Sequence, residues 1–248
     1  MIVVCGQKYV IMSKTGNFVL YFYTRRAIKA AFVRYNSDMI VKTVNRQHEG
    51  QTVKCCLRPW QRAVKRSLDV LCAVAGILLA WPFMLIIAIA LMMQGKGSVI
   101  YAQERIGLGG KPFYILKFRT MVPDAEPDGK PKLQQEGDAR LTPVGRFLRR
   151  HHLDELPQLW NVLRGDMSLV GYRPERQYFI DQIMERDPRY ADLFQMRPGV
   201  TSEATVYNGY TDTMEKMLER LNMDLHYLET ASLRKDFSII FHTFSAVI

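Results

Sequence analysis

No charged residue occurs anywhere in residues 70–95 of this 248-residue chain. The core helices of soluble proteins seldom run apolar for more than about 10–14 residues, whereas about 20 suffice to cross a bilayer core. The stretch, VLCAVAGILLAWPFMLIIAIALMMQG, is therefore expected in a membrane. Cysteine is scarce as well: Cys5, Cys55, Cys56 and Cys72 show no CxxC spacing and no nearby His pair, which excludes the usual zinc modules. Cys72 falls in the apolar run and reads as a small buried thiol, and so few cysteines agree with a reducing compartment. The opening residues are interrupted by Lys8 and Lys14 before an apolar core forms, so no signal peptide is expected. Internal repeats are absent too. The glycine-rich stretch Gly107-Leu108-Gly109-Gly110 lacks G-x-G-x-x-G and joins two strand-like segments, so it reads as a hairpin turn and not as a nucleotide loop.

Acidic residues are outnumbered: 34 Lys and Arg face 24 Asp and Glu, for a formal charge of +10. That excess calls for an anionic partner, whether nucleic acid, anionic lipid headgroups or phosphorylated small molecules. No nucleic-acid-binding motif is present. The apolar run is basic on both flanks, with Lys54, Arg58, Arg62, Lys65 and Arg66 before it and Lys96, Arg105, Lys111 and Lys117 after it. A spanning helix should show a charge asymmetry, and here there is almost none. Pro82 near its middle predicts a kink. With no second apolar segment to return the chain, a re-entrant helix that enters and leaves by the cytoplasmic face fits better than a simple span.

Residues 1–57 read as an N-terminal extension of unknown role, with short strands over 2–4, 9–12 and 18–23 and a basic helix over 25–35. Residues 58–97 form the basic flank and membrane helix, and 98–248 the remaining domain. Strands are expected over 98–105 and 112–121; Lys117 and Arg119, two apart on the second, share a face. A Pro- and Gly-rich loop follows over 122–140. Thr142-Pro143 is a helix start. Apolar positions opposite Arg146, Arg149 and Arg150 then describe an amphipathic helix suited to the headgroup plane, with a break at Pro157 and a C-cap at Gly165. Helices are expected over 175–186, 188–195 and from 213, an extended segment over 202–207, and an apolar helix over 237–248.

Asp154 and Glu155 stand side by side among Arg149, Arg150, Arg164 and Arg173. Neighbours on a helix diverge by about 100°, so they cannot face each other as an acid/base pair. They can divide labour, one as nucleophile or base and the other as ligand of a Mg²⁺ that bridges a diphosphate. Arginines such as Arg149 and Arg173 would stabilise charge on phosphoryl oxygens. Taken alone, the pair is also what a solvated turn in a basic helix contains.

The whole string LDELPQLWNVLRGDMSLVGYRP closely resembles the signature of the bacterial sugar transferases, the monotopic polyprenyl-phosphate phosphoglycosyl transferases. The resemblance runs upstream through LKFRTM, QERIGLGGKPF, Asp69 and the proline-containing apolar helix, and downstream through RPGVTS and DLHYLETASLRKDF, over about residues 59–248. It implies an α+β, mostly α-helical enzyme: one proline-kinked re-entrant membrane helix and amphipathic interfacial helices around a small cytoplasmic core with a β-hairpin. Asp154 would attack the β-phosphate of a UDP-sugar, release UMP and carry the phosphosugar to a polyprenyl phosphate, typically undecaprenyl phosphate. Glu155 would hold Mg²⁺, with Arg149, Arg173, Lys117 and Arg119 on the substrate, while Asp69 and Pro82 would set the membrane helix. The implied location is the cytoplasmic face of the bacterial inner membrane, at the start of surface-glycan synthesis. Partners are then the UDP-sugar, the polyprenyl phosphate, membrane lipids and, in a homo-oligomer, a second copy of the chain, with no nucleic acid among them. The family usually has GPRP where this chain has Gly171-Tyr172-Arg173-Pro174, and the arginine expected after an Asn-Gly is Tyr210 here. The sugar is not legible. A non-catalytic membrane scaffold is the rival reading.

Overall fold

The computed structural model describes the backbone of residues 2–5, 8–12, 18–19, 52–95, 97–122, 125, 138–207 and 211–247. Side chains are described for those of them within 52–245, residue 244 excepted. The expected basic helix over 25–35 and most of the 122–140 loop lie outside the described residues. Three short strands, β1 (Ile2–Cys5), β2 (Lys8–Met12) and β3 (Phe18–Val19), pair antiparallel in that order, close to the expected positions.

One helix dominates the rest. α1 (Pro59–Met93) has proline at its first position, and the Arg58 N–H before it donates to Gln61 Oε1 at 2.8 Å. It continues past Pro82 without interruption, and at 35 residues it would be about 50 Å long if straight. Lys65, Asp69, Ala73, Ile87 and Leu91 are buried on one side, at the near-fourfold spacing that a helix face requires. Leu71, Leu79, Phe83, Ile86 and Met93 are exposed. Cys72, expected as a buried thiol, is exposed with them. The reason is that this helix meets the folded body along one stripe only.

After α1 the chain forms a hairpin of β4 (Ile100–Ile106) and β5 (Pro112–Phe118), in register from Ile100↔Phe118 to Ile106↔Pro112, with a 3₁₀ turn at Leu108–Gly110. α2 (Pro143–Arg150) starts where the Thr142-Pro143 signal lies, since Thr142 Oγ1 accepts from Gly145 N at 3.0 Å. It ends at Arg150, earlier than its apolar pattern suggested, because His152 adopts a left-handed backbone (φ 53°). A 3₁₀ turn (Leu153–Glu155) and then α3 (Gln158–Arg164) follow, and α3 closes on Gly165 (φ 94°) as expected.

β6 (Ser168–Val170) pairs parallel with β7 (Gly199–Thr201), and α4 (Gln177–Met184) and a 3₁₀ helix (Pro188–Gln195) make the crossover between them. Residues 202–207, expected to be extended, are not. Glu203–Tyr207 form the short helix α5, because Ser202 Oγ accepts from Thr205 N at 2.9 Å and caps it. α6 (Met214–Thr230) and α7 (Leu233–Val247) complete the chain, α6 capped by Thr213. The largest apolar cluster joins Val170, Tyr172, Ile180, Leu193, Leu221 and Leu228. A second, at Ala73, Ile115, Val162 and Met167, fastens α1 to β5 and α3.

Polar contacts fix α1 further. Asp69 accepts from Ser168 Oγ at 2.7 Å and from Leu169 N at 3.1 Å, and Lys65 Nζ donates to Asp236 Oδ2 on α7 at 2.6 Å. Lys65 and Asp236 are both buried, so removing either partner strands a charge at a cost of about 3–5 kcal/mol. Asp69 thus holds α1 against β6. At the other end of the helix, Arg119 Nη2 donates to Leu91 O at 2.9 Å and to Gly95 O at 3.5 Å.

Candidate active site

The dyad sits on the 3₁₀ turn between α2 and α3, so its geometry depends on how those two short helices are seated. α2 is pressed on the strand segment after β5: Thr142 N donates to Thr120 O at 3.0 Å, and a Cβ at Gly145 would overlap the Thr120 backbone. Only glycine permits that approach. α3 is fastened by Asn161, which is fully buried. Its Nδ2 donates to Tyr114 O at 2.7 Å and its Oδ1 accepts from Leu116 N at 2.9 Å, both on β5. The turn that bears the dyad is therefore held to the same strand that bears Lys117. His152 opens the turn in its left-handed conformation, which is uncommon for a residue with a Cβ and is frequent at functional sites.

Glu155 is paired twice: Oε1 accepts from Lys117 Nζ at 2.7 Å and from Arg173 Nη2 at 3.3 Å. Burial would raise its pKa, but Lys117 and Arg173 outweigh burial and hold the carboxyl well below the usual range. In turn, Glu155 raises the pKa of Arg173. Asp154 contrasts with it. Only 5% of its surface is exposed, and among the described residues no side chain hydrogen-bonds its carboxylate. Burial pushes the Asp154 carboxyl up, Glu155 adds to that rise, and Lys117, Arg149 and His152 act against it. Adjacent acids thus have opposite environments: one is locked in an ion-pair cluster and the other is left available.

Arg149, in the last turn of α2, donates from Nε to Thr120 Oγ1 at 3.1 Å and is close enough to lower the pKa of Asp154. Arg173 leaves the end of β6, where Gly171 lies against the backbone of 197–199. Its backbone is close enough to the Asp224 carboxylate to act against the rise of that group's pKa. The sequence-nominated residues Asp154, Glu155, Lys117, Arg149 and Arg173 therefore converge. Arg119 does not join them, because its guanidinium caps the C-terminus of α1; Asp69 and Pro82 also lie on α1, outside the cluster.

Asn161 and Asp224 were not among the nominated residues. A buried asparagine in a helix is the one signal that could have found the first; Asp224 has none, since its partner is 51 residues away in sequence. It is almost wholly buried, its Oδ1 has no hydrogen-bond partner among the described residues, and burial pushes its pKa up to about 8.

Among the described residues, no three His, Cys, Asp or Glu side chains converge on one point. The dyad instead offers Asp154 and the second oxygen of Glu155. A few carboxylate oxygens fit a hard cation that arrives on a diphosphate and keeps most of its water.

The sequence pattern described as "Bacterial sugar transferase" matches residues 60–248. A UDP-N-acetylgalactosamine-undecaprenyl-phosphate N-acetylgalactosaminephosphotransferase of Aeromonas hydrophila is 37% identical over 205 residues, 83% of this chain and 48% of that protein. A UDP-glucose:undecaprenyl-phosphate glucose-1-phosphate transferase of Caulobacter vibrioides is 46% identical over 182 residues, 72% of this chain and 67% of the relative. The exopolysaccharide production protein ExoY of Rhizobium meliloti is 36% identical over 205 residues, 77% of this chain and 88% of its own length. The chain thus spans about half of the first relative and most of the third. The match contains the dyad, Lys117, Arg149 and Arg173, and on it the chain belongs to the bacterial sugar transferase family.

Proposed function

We propose that the chain moves a sugar 1-phosphate from a UDP-sugar to a polyprenyl phosphate, by way of a covalent intermediate on Asp154. The asymmetry of the dyad carries this reading: Asp154 is near-buried and has no hydrogen-bond partner among the described residues, beside a Glu155 that two cations hold ionised. The names of the relatives supply the substrate classes, a UDP-sugar and undecaprenyl phosphate.

In the first step an Asp154 carboxylate oxygen forms a bond to the β-phosphorus. The bond from that phosphorus to the bridging oxygen breaks, and UMP leaves with the oxygen. In the second step a phosphate oxygen of the polyprenyl phosphate attacks the same phosphorus and the bond to Asp154 breaks. The carboxylate is restored and polyprenyl-diphospho-sugar is formed, so no net proton transfer is required. Arg149, Lys117 and Arg173 counter charge on the phosphoryl oxygens, and Glu155 keeps Lys117 and Arg173 in place. Mg²⁺, held by Glu155 together with the diphosphate, would neutralise charge on the leaving UMP.

The membrane helix is re-entrant in this account and the site faces the cytoplasm. Arg66 near one end of α1 donates to Val162 O and Leu163 O, while the other end accepts from Arg119 through Leu91 O. Residues 66 and 91 would be about 37 Å apart on a straight helix, more than a hydrocarbon core of about 30 Å. One folded body holds both ends, which supports both lying on the same side of the bilayer.

The test uses the detergent-solubilised full chain with Mg²⁺, a polyprenyl phosphate and a panel of UDP-sugars. One sugar is expected to give UMP in equal amount to organic-extractable sugar. Release of UMP from none of them would refute the assignment.

A further inference from the structure

A second cationic site lies away from the dyad, where the polar end of α1 meets the loop before β7. An open cleft of about 130 Å³ is lined on its polar side by Arg62, Lys65, Arg66, Asp69 and Arg197. None of its lining residues belongs to the catalytic cluster.

The charges do not balance. Lys65 is matched by Asp236 at 2.6 Å and has Asp69 at 3.9 Å, and Asp69 also accepts from Ser168 and Leu169. The three arginines meet carbonyls instead. Arg62 Nε donates to Leu57 O at 3.0 Å, Arg66 to Val162 O at 2.6 Å and Leu163 O at 3.1 Å, and Arg197 Nε to Gly165 O at 2.8 Å. Carbonyls satisfy N–H groups but leave the formal charge standing, and among the described residues none of the three has a carboxylate within 4 Å. Burial pushes the Arg197 pKa down and the nearby Arg66 adds to that, while Asp69 acts against it. Counting Asp69 and Asp236 against Arg62, Lys65, Arg66 and Arg197, the cleft keeps a net excess of two positive charges, and the forked guanidinium donors suit phosphate oxygens.

Position selects the source of the phosphate. Arg62 and Arg66 lie on α1 itself, one to two turns before its uncharged stretch begins at Val70. On the same part of the helix, Trp60 is 60% exposed, and Val64 and Leu71 are also exposed. An aromatic side chain beside cations at the end of an apolar helix marks the headgroup level of a bilayer. Basic pockets at that level bind acidic lipid headgroups.

We propose that this cleft seats the phosphate of an anionic glycerophospholipid, with the acyl chains along the exposed face of α1, at a site separate from the dyad. The lipid thereby clamps α1 to the loop at Arg197.

The experiment follows thermal unfolding of the delipidated full chain in detergent, with dihexanoyl phosphatidylglycerol, dihexanoyl phosphatidylcholine or inorganic phosphate added. Phosphatidylglycerol is expected to raise the unfolding midpoint in a concentration-dependent way, because a ligand of the folded state stabilises it by mass action. Arg62→Gln and the double variant Arg62→Gln/Arg197→Gln should lose at least half of that rise, whereas Asp154→Asn should keep all of it. Native mass spectrometry of the unmodified protein should show bound phosphatidylglycerol, whether or not the variants fold. An equal rise with phosphatidylcholine would overturn the anion site, and an equal rise with inorganic phosphate would overturn the lipid assignment. Loss of the rise in Asp154→Asn would merge the two sites, and no rise and no bound lipid in the unmodified chain would end the proposal.

Discussion

At the scale of single residues, Asp154 and Glu155 show how environment divides two like groups. The same chemical pair would be equivalent in water, but Lys117 and Arg173 converge on Glu155 and leave Asp154 shielded, with burial acting against its charge. Lys117 lowers the Asp154 pKa, so Lys117→Met should raise it further. The acidic limb of the kcat/KM profile for UMP release should then move to higher pH, with kcat reduced by roughly 10²-fold, the size typical of losing one charge-stabilising group. An unmoved limb would remove Lys117 from the electrostatics of the nucleophile. Asp224 gives a different pH signature. Its folded pKa of about 8 lies above the ordinary 3.8, so the folded state binds the extra proton between those values. The stability it contributes is fully present below about pH 4 and is lost as pH rises through about 8. Asp224→Asn should therefore unfold with a flatter stability profile between about pH 4 and 8, read by denaturant melts. A profile as steep as that of the unmodified chain would show that Asp224 is not the group responsible.

At the scale of elements, the site is built by docking short helices onto a hairpin. Gly145→Ala would force α2 off Thr120, with an overpacking cost at the upper end of about 1–3 kcal/mol. Arg149 would shift with it, so both thermal stability and UMP release should fall. Asn161→Ala would leave the part-buried Tyr114 O and Leu116 N without their partner and should cost about 2–6 kcal/mol, at about 1–3 kcal/mol for each group left unsatisfied. What was legible in the sequence at this scale was local. Thr142-Pro143, Gly165, the hairpin around 107–110 and the long apolar helix rest on residues a few positions apart. The extended reading of 202–207 failed because Ser202 makes a cap that outcompetes a strand. Arg119 was grouped with Lys117 by strand alternation, yet it reaches the carbonyls of α1, a partner 28 residues away in sequence that periodicity cannot reveal. Asn161 was invisible for the same reason, since its value depends on a strand 45 residues earlier.

At the scale of the whole molecule, the folded body grips α1 at Lys65, Asp69 and Leu91 and leaves its outer face apolar and exposed. That arrangement would bring a soluble nucleotide sugar and a lipid phosphate to one surface. Single cysteines introduced at positions 58 and 111, in a chain whose native cysteines are replaced, should both react with reagents confined to the cytoplasmic side. Labelling of either from the opposite side would refute the re-entrant helix. The resemblance of residues 59–248 to a family made the dyad legible before any geometry, whereas the division between its two acids required the fold, because Lys117 and Arg173 lie 38 and 18 residues from Glu155. The central claim is that Asp154 carries the phosphosugar. It is tested most directly by intact and peptide mass spectrometry of the full chain, incubated with its UDP-sugar and Mg²⁺ but without polyprenyl phosphate. The account predicts one phosphosugar adduct per chain on the peptide containing Asp154, released by adding polyprenyl phosphate and absent from Asp154→Asn. Full turnover by a well-folded Asp154→Asn variant, or an adduct on another residue, would contradict it.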